Sequence, residues 1–243
     1  MIPKIIHYCW FSGDKLPKSI EKCIDSWKRV MPDYKIKCWD KDSFDFDSIP
    51  FVRETMIAKK YPTAADYVRL HALYIEGGIY LDADVEVLMS FDSLLNCDFF
   101  TGTEAFYHEG KHNYRIEGAI MGSIPTHPFV KACLEHYENS RFFNPDGTRN
   151  TEVLPSRISR IAEDKWEYKR VNMYQQLPNN IIIYPTSYFT NTLVPDTSEM
   201  KHLYAIHRNA ASWMDFDDRG KFFHFCRKHD LMNFYHWVER LKK

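Results

Sequence analysis

The sequence predicts an α/β fold, and three observations predict it. The chain opens with a strand, a helix and a second strand, the order of a βαβ unit. A helical stretch ending at Gly77-Gly78 feeds straight into a short apolar run, Ile79 to Leu81. Late in the chain two more short apolar runs, Ile181 to Tyr184 and Tyr204 to His207, return as strands. A βαβ unit binds ligands at the carboxyl edge of its strands. That edge is where the apolar run Ile79 to Leu81 ends, in two carboxylates one residue apart, Asp82 and Asp84.

Each element follows from a local pattern. Pro3 to Trp10 is the first strand, with His7 and Trp10 near its tip. Helix one runs from about Pro17, which suits a first helical position, to Met31. Ile20, Cys23, Ile24, Trp27 and Val30 recur at helical spacing, and Pro32-Asp33 stops it. Tyr34 to Trp39 alternates as strand two. Helices are expected over Phe51 to Tyr61 and, after Pro62, over Thr63 to Glu76. Asp66 and Arg69 stand three apart in that second helix and share a face. They form either a surface ion pair or a pair aimed at the cleft. Beyond Glu86 the expectations are a short helix near Phe91 to Leu95, a strand from Asp98 to Thr103 leading to Glu104, and a mobile polar loop from Tyr107 to Arg115. A strand over Ile116 to Gly122, carrying Glu117, and a helix over Pro128 to Tyr137 follow. Phe142 to Thr151 is polar and turn-rich, a candidate acceptor loop. In the tail, Leu231, Phe234, Tyr235, Val238 and Leu241 share one helical face flanked by Arg227, Lys228, Arg240, Lys242 and Lys243. Such a helix docks on a membrane surface or packs on the domain core.

Composition narrows the function class. The chain has 243 residues, 44% of them hydrophobic and 16% aromatic, enough for a sizeable core. Lys plus Arg number 32 and Asp plus Glu 33, a balance that gives no support to nucleic-acid binding. The six cysteines, at 9, 23, 38, 97, 133 and 226, form no CxxC pair and suit neither a zinc site nor a disulfide framework. Free thiols fit a reducing compartment, so a cytoplasmic protein is expected. The opening Met1-Ile2-Pro3-Lys4 lacks a signal-like apolar run, and no stretch approaches a membrane span.

The chemistry centres on Asp82 and Asp84. Two carboxylates at the mouth of a buried strand repel one another and lose hydration. A divalent cation compensates both effects, and carboxylate oxygens suit Mn²⁺ or Mg²⁺, ions that also grip phosphate. An isolated DxD more often just ends a strand in water. The company it keeps decides the reading. His207 ends an apolar strand before a small-residue segment, Ala210-Ala211-Ser212. A histidine there is a buried structural residue or a metal ligand reaching the acidic pair across the cleft. A ligand would need a partner on its other ring nitrogen.

Taken together, the opening IPKIIHYCWF, the stretch AADYVRLHALYIEGGIYLDADVEV and the late YAIHRNAASW resemble the DXD-containing family of bacterial capsular polysaccharide and lipopolysaccharide glycosyltransferases. Fungal initiating mannosyltransferases belong to the same family, and the clostridial glucosylating toxins are more distant relatives. The resemblance is close over residues 2–104 and looser over 116–213. It implies a GT-A fold, a Rossmann-like nucleotide-binding mixed sheet flanked by helices, in one domain spanning residues 1–243. Residues 1–104 would be the nucleotide-sugar half, 105–225 the acceptor half with a closing loop, and 226–243 the amphipathic tail helix. The implied activity is metal-dependent, retaining transfer from a nucleotide sugar, UDP-sugar foremost, to a glycan or lipid-linked acceptor. The implied setting is the cytoplasm, at the inner face of the membrane where such acceptors lie.

Residue by residue, the resemblance gives Trp10 the donor base, with His7 beside it. Asp66 and Arg69 contact the donor sugar and its phosphate side, and Asp82 the ribose and sugar hydroxyls. Asp84 ligates the metal with His207 nearby, and Ser212 and Trp213 close on the diphosphate. Asp82, Asp84 and Arg69 form the catalytic set. Where some family members carry an asparagine, this chain has Glu117-Gly118, so Glu117 and Glu104 are acceptor-side candidates only. Two readings compete. Asp82-Ala83-Asp84-Val85 also fits the DxDxV loop of haloacid-dehalogenase-like phosphatases, with Asp82 as nucleophile, although that loop usually follows the first strand. The other is a catalytically silent sugar-nucleotide binder.

Overall fold

The computed structural model describes residues 1–108, 111–191 and 202–208. Ser212, Trp213 and the tail helix lie outside the described residues.

Ten strands and five α-helices alternate along the described chain. Strand β1 (Ile5–Cys9), helix α1 (Lys18–Val30) and β2 (Lys35–Trp39) form the opening unit. Helices α2 (Pro50–Ile57) and α3 (Tyr61–Glu76) lead to β3 (Gly78–Leu81) and, past the DxD, to β4 (Val85–Val87). A 3₁₀ turn at Asp92–Leu94 precedes the hairpin strands β5 (Phe99–His108) and β6 (Lys111–Ser123). Helices α4 (Pro128–Glu138) and α5 (Leu154–Trp166) follow, then β7 (Gln175–Leu177), β8 (Ile181–Tyr184), β9 (Phe189–Asn191) and β10 (Ala205–His207).

Seven strands make the central sheet in the order β2-β1-β3-β6-β5-β8-β7. Strands β2, β1 and β3 run parallel, as does β5 with β8, while β6 is antiparallel to both β3 and β5. This is the expected mixed sheet flanked by helices. The side chains explain why the sheet is covered on both faces. Tyr80, Phe99, Ile181 and Ile183 enter one core with α2 to α5, and their neighbours Ile79, Leu81, Phe100 and Ile182 enter the other with α1. Strands buried on both faces read as continuous apolar runs with period-2 alternation between cores.

The join between α3 and β3 is made by two glycines at positive φ, Gly77 at 64° and Gly78 at 97°. A Cβ on Gly78 would stand 2.6 Å from the Ile5 carbonyl oxygen, so no side chain fits where β3 enters beside β1.

The stretch Tyr107 to Arg115, expected as a loop, instead belongs to the β5–β6 hairpin, with registers running from Tyr107↔His112 to Glu104↔Arg115. On β6, Lys111 and His112 are exposed and Asn113 to Arg115 half-buried, so this end of the strand carries no apolar alternation. Helix α5 and strands β4, β7 and β9 were not anticipated at all. Strands this short leave no period to read. In α5 the arginines and serines mask an amphipathic face whose Arg157 and Ser159 are buried. No helix among the described residues is long and apolar enough to cross a membrane. The five described cysteines, Cys9, Cys23, Cys38, Cys97 and Cys133, are free thiols.

Candidate active site

Three chain reversals bring the site together. After Leu81 the backbone turns through Asp82-Ala83-Asp84, closed by the Val85 N–H donating to the Asp82 carbonyl at 2.9 Å. The chain then leaves the central sheet for a small second sheet of order β4-β10-β9. Antiparallel pairing of β10 with β4 sets His207 opposite Val85, next to the turn. The Arg208 N–H fixes that register by donating to the Asp84 carbonyl at 3.0 Å. The third reversal is a bulge in β6. Thr103 pairs with Ile116 but Thr101 with Met121, so the four residues 117–120 face Gly102 alone. Bulges of this kind re-aim side chains beside active sites. This one turns its backbone carbonyls to the site. Ala119 accepts from the Asp82 N–H at 2.9 Å, and Gly118 from the Arg69 guanidinium at 2.6 Å.

Asp82, Asp84 and His207 each offer one ligand atom, and these atoms lie within 4.8 Å of one another. They are the only such group of three or more among the described residues. The imidazole sits between two carboxylates: Nε2 is 3.4 Å from Asp84 Oδ1 and Nδ1 is 3.6 Å from Glu117 Oε1. Burial opposes its charge, but Asp84 and Glu117 outweigh burial and hold the ring protonated well above the usual histidine range. Two hard carboxylate oxygens and one imidazole nitrogen suit Mn²⁺ or Mg²⁺ and leave positions open for phosphate oxygens.

Arg69 organises the other side. Its side chain is only 6% exposed, so the ion pair with Asp66 is not a surface one. The guanidinium reaches Asp66 Oδ1 at 3.1 Å and Asp82 Oδ1 at 3.2 Å, and lies 4.6 Å over the Tyr80 ring. Tyr80 in turn donates its hydroxyl to Asp82 Oδ1 at 2.9 Å. One cation thus serves two carboxylates, and burial pushes the Asp66 carboxyl up to about 7, with Asp82 adding to the rise and Arg69 opposing it.

This has a testable pH consequence. The unfolded carboxyl titrates near about 3.9, so between that value and about 7 the folded chain holds a proton the unfolded chain has lost. Stability is then full below the unfolded value and falls as pH rises through the folded one. Asp66→Asn is expected to remove this component, flattening the decline in urea midpoint between pH 5 and pH 8 relative to wild type. An unchanged pH profile in the variant would place the titration elsewhere.

The remaining candidates fall in different places. Trp10 is half-buried just beyond β1, at the carboxyl edge shared with β3, its indole N–H donating to the Asp14 carbonyl at 2.8 Å. His7 is completely buried: Nε2 meets the Gly77 carbonyl at 2.8 Å and Nδ1 accepts from the Trp39 indole at 3.1 Å. Both ring nitrogens are engaged inside the protein, so His7 braces the β1–α3 junction and reaches no donor. The expectation placed it at the strand tip with Trp10, but it lies within β1, with Tyr8 and Cys9 between the two. Glu104 is paired with Arg115 at 2.9 Å, and Arg115 also donates to Ser156 at 3.1 Å. Burial and the nearby Glu117 push the Glu104 carboxyl up. Glu117 is 3% exposed and its Oε1 accepts from the Ala119 N–H at 2.9 Å. Burial would raise its carboxyl, but His207 and that N–H outweigh it and hold it below the usual range. Tyr80 and Arg115 had not been singled out. Tyr80 was within reach, because it stands two residues before Asp82 on a strand and so shares its face. The Arg115–Glu104 pair depends on hairpin register, which no local pattern shows.

Residues 17–100 match the family described as glycosyltransferase sugar-binding region containing DXD motif. That stretch, which includes Asp82 and Asp84, is what the chain shares with DXD glycosyltransferases. Relatives of the chain include an uncharacterised glycosyltransferase of Acanthamoeba polyphaga mimivirus, 26% identical over 88% of this chain and 84% of the relative. A mannosyl phosphorylinositol ceramide synthase of Saccharomyces cerevisiae is 32% identical over 58% of this chain and 37% of its own. Inositol phosphoceramide mannosyltransferase 2 of Schizosaccharomyces pombe is 28% identical over 74% and 49%. The chain therefore spans half or less of these two fungal relatives. Among solved structures, a PaToxG glycosyltransferase covers 68% of this chain and 70% of its own, at 18% identity and a TM-score of 0.49. A galactosyltransferase bound to donor and acceptor sugar analogues covers 84% and 87%, at 12% identity and a TM-score of 0.43.

Proposed function

We propose that the protein is a metal-dependent, retaining glycosyltransferase that moves a sugar from a nucleotide sugar, a UDP-sugar foremost, to a glycan or lipid-linked acceptor. The observation that carries this reading is the convergence of Asp82, Asp84 and His207 at the carboxyl edge of the parallel strands. Mn²⁺ or Mg²⁺ held there by Asp84 and His207 would neutralise the negative charge that grows on a departing nucleoside diphosphate. Asp82, fixed by Arg69 and Tyr80, receives hydroxyls of the ribose and the sugar. Asp66 and Arg69 form the floor beneath the sugar, and Trp10 stacks on the base. Ser212 and Trp213, which lie outside the described residues, would serve to close on the diphosphate and exclude water that would hydrolyse the donor.

Retention follows if the acceptor hydroxyl attacks from the leaving-group side. Its oxygen bonds to the anomeric carbon as the bond to the diphosphate breaks, and its proton passes to the diphosphate oxygen. Arg115, in the acceptor half (residues 105–225), pairs with Glu104 at the boundary between the halves. Fungal relatives named for inositol phosphoceramide favour an acceptor carried on a lipid headgroup. Work on surface polysaccharide from the cytoplasmic face of a membrane, with the basic tail helix as contact, is consistent with that class. A phosphatase reading needs Asp82 free to attack, whereas here Tyr80 and Arg69 already engage its Oδ1.

The test is donor turnover. With Mn²⁺ present, one or more nucleotide sugars from a panel should raise the melting temperature by mass action and be consumed when saccharide or lipid-linked acceptors are added. No stabilisation by any nucleotide sugar would reject the reading. Trp10→Ala should weaken donor binding by about 1–3 kcal/mol, taking base–aromatic stacking as the guide. An unchanged dissociation constant would return Trp10 to a purely packing role.

A further inference from the structure

We propose that Glu117 is a positioning residue that fixes the His207 tautomer, so that Nε2 is the nitrogen presented to the cation. The inference rests on the cation site proposed above and takes Glu117 off the acceptor side. The imidazole stands between Asp84 at Nε2 and Glu117 at Nδ1, 3.4 and 3.6 Å away. A histidine binds a cation through one nitrogen only when the proton resides on the other, and an acceptor aimed at that other nitrogen decides which. Glu117 Oε1 is such an acceptor, and it is held in place. The β6 bulge aims the side chain inward, the Ala119 N–H tethers the same Oε1 at 2.9 Å, and the Thr101 hydroxyl donates to the Glu117 carbonyl at 2.9 Å. At 3% exposure Glu117 has little access to an incoming acceptor sugar. The charges around it fit the same role. Arg115 occupies the neighbouring Glu104, and Asp84 lies across the ring from Glu117.

The two substitutions at this position differ in a useful way. Gln retains an Oε1 able to accept from both Ala119 N–H and Nδ1–H, while Ala removes the acceptor. Mn²⁺ binding is measured by electron paramagnetic resonance without donor, on wild type, Asp84→Asn, Glu117→Gln and Glu117→Ala, each checked for folding by circular dichroism. Glu117→Ala should weaken Mn²⁺ binding about 10–100-fold, the usual loss when a ligand's orienting partner is removed. Glu117→Gln should keep most of the affinity. A folded Glu117→Ala chain that binds Mn²⁺ as wild type does, while losing transfer, would restore Glu117 to the reacting face and overturn the proposal. If Glu117→Ala does not fold, ¹⁵N spectra of histidine-labelled wild type with Mg²⁺, assigned against His207→Gln, decide it. The proton should be on Nδ1, and a proton on Nε2 overturns it. Wild type that binds Mn²⁺ no better than Asp84→Asn would instead refute the cation site itself, a separate result from equal binding by wild type and Glu117→Ala.

Discussion

Asp84→Asn is expected to lower sugar transfer by at least about 10²–10³-fold, the range typical for one preorganised charge contact in a transition state. Asp84 stands in the β3–β4 turn, its backbone carbonyl held by the Arg208 N–H and its Oδ1 facing His207. Asn is nearly the same size and leaves both backbone bonds intact, so the fold should survive. What disappears is the charge opposing a divalent cation. Donor binding should fall less than turnover, because the base and sugar contacts attributed to Trp10, Asp66 and Asp82 remain. Transfer rates with and without Mn²⁺, beside a thermal melt of the variant, check this. A variant that keeps full activity in the presence of a chelator would remove the metal from the reaction.

The central parts of this site were legible because they are local. Gly77-Gly78, a three-residue apolar run and DxD lie within eight residues, and glycine chemistry with strand period suffices to set them in order. Arg69 and Asp66 were placed on one face by helical spacing, but which face was open, and only burial distinguishes a surface pair from one inside the molecule. His207 was harder, since its value depends on pairing with a strand 120 positions earlier, and β4 has three residues and no period of its own. The surroundings of Glu117 were hidden for a related reason. A bulge is a register event between two strands, and IEGAIMG looks the same in sequence whether or not it buckles. The polar hairpin tip failed because alternation requires one dry face, which that ribbon lacks.

Arg69→Met is expected to destabilise the fold by about 3–5 kcal/mol, the loss usual when one member of a buried ionic group is removed and the others are left. Met keeps most of the aliphatic stem and can fill the space over Tyr80, so the change is one of charge and hydrogen bonding more than volume. It strands Asp66 and Asp82 without their shared guanidinium and removes the side-chain donor to the Gly118 carbonyl. The sign with pH follows. Burial already places the Asp66 carboxyl up at about 7 in the presence of Arg69. Without the guanidinium the folded chain holds that proton to still higher pH, so stability should decline further as pH rises. The deficit against wild type, read from urea midpoints, should thus be larger at pH 8 than at pH 5. Adding Asp66→Asn to Arg69→Met should recover part of the loss, because the second change removes a stranded charge. A double variant exactly as unstable as the sum of its parts would mean that the two side chains do not act as one unit. A single variant as stable as wild type at pH 8 would mean that the β6 bulge and the DxD turn hold without Arg69.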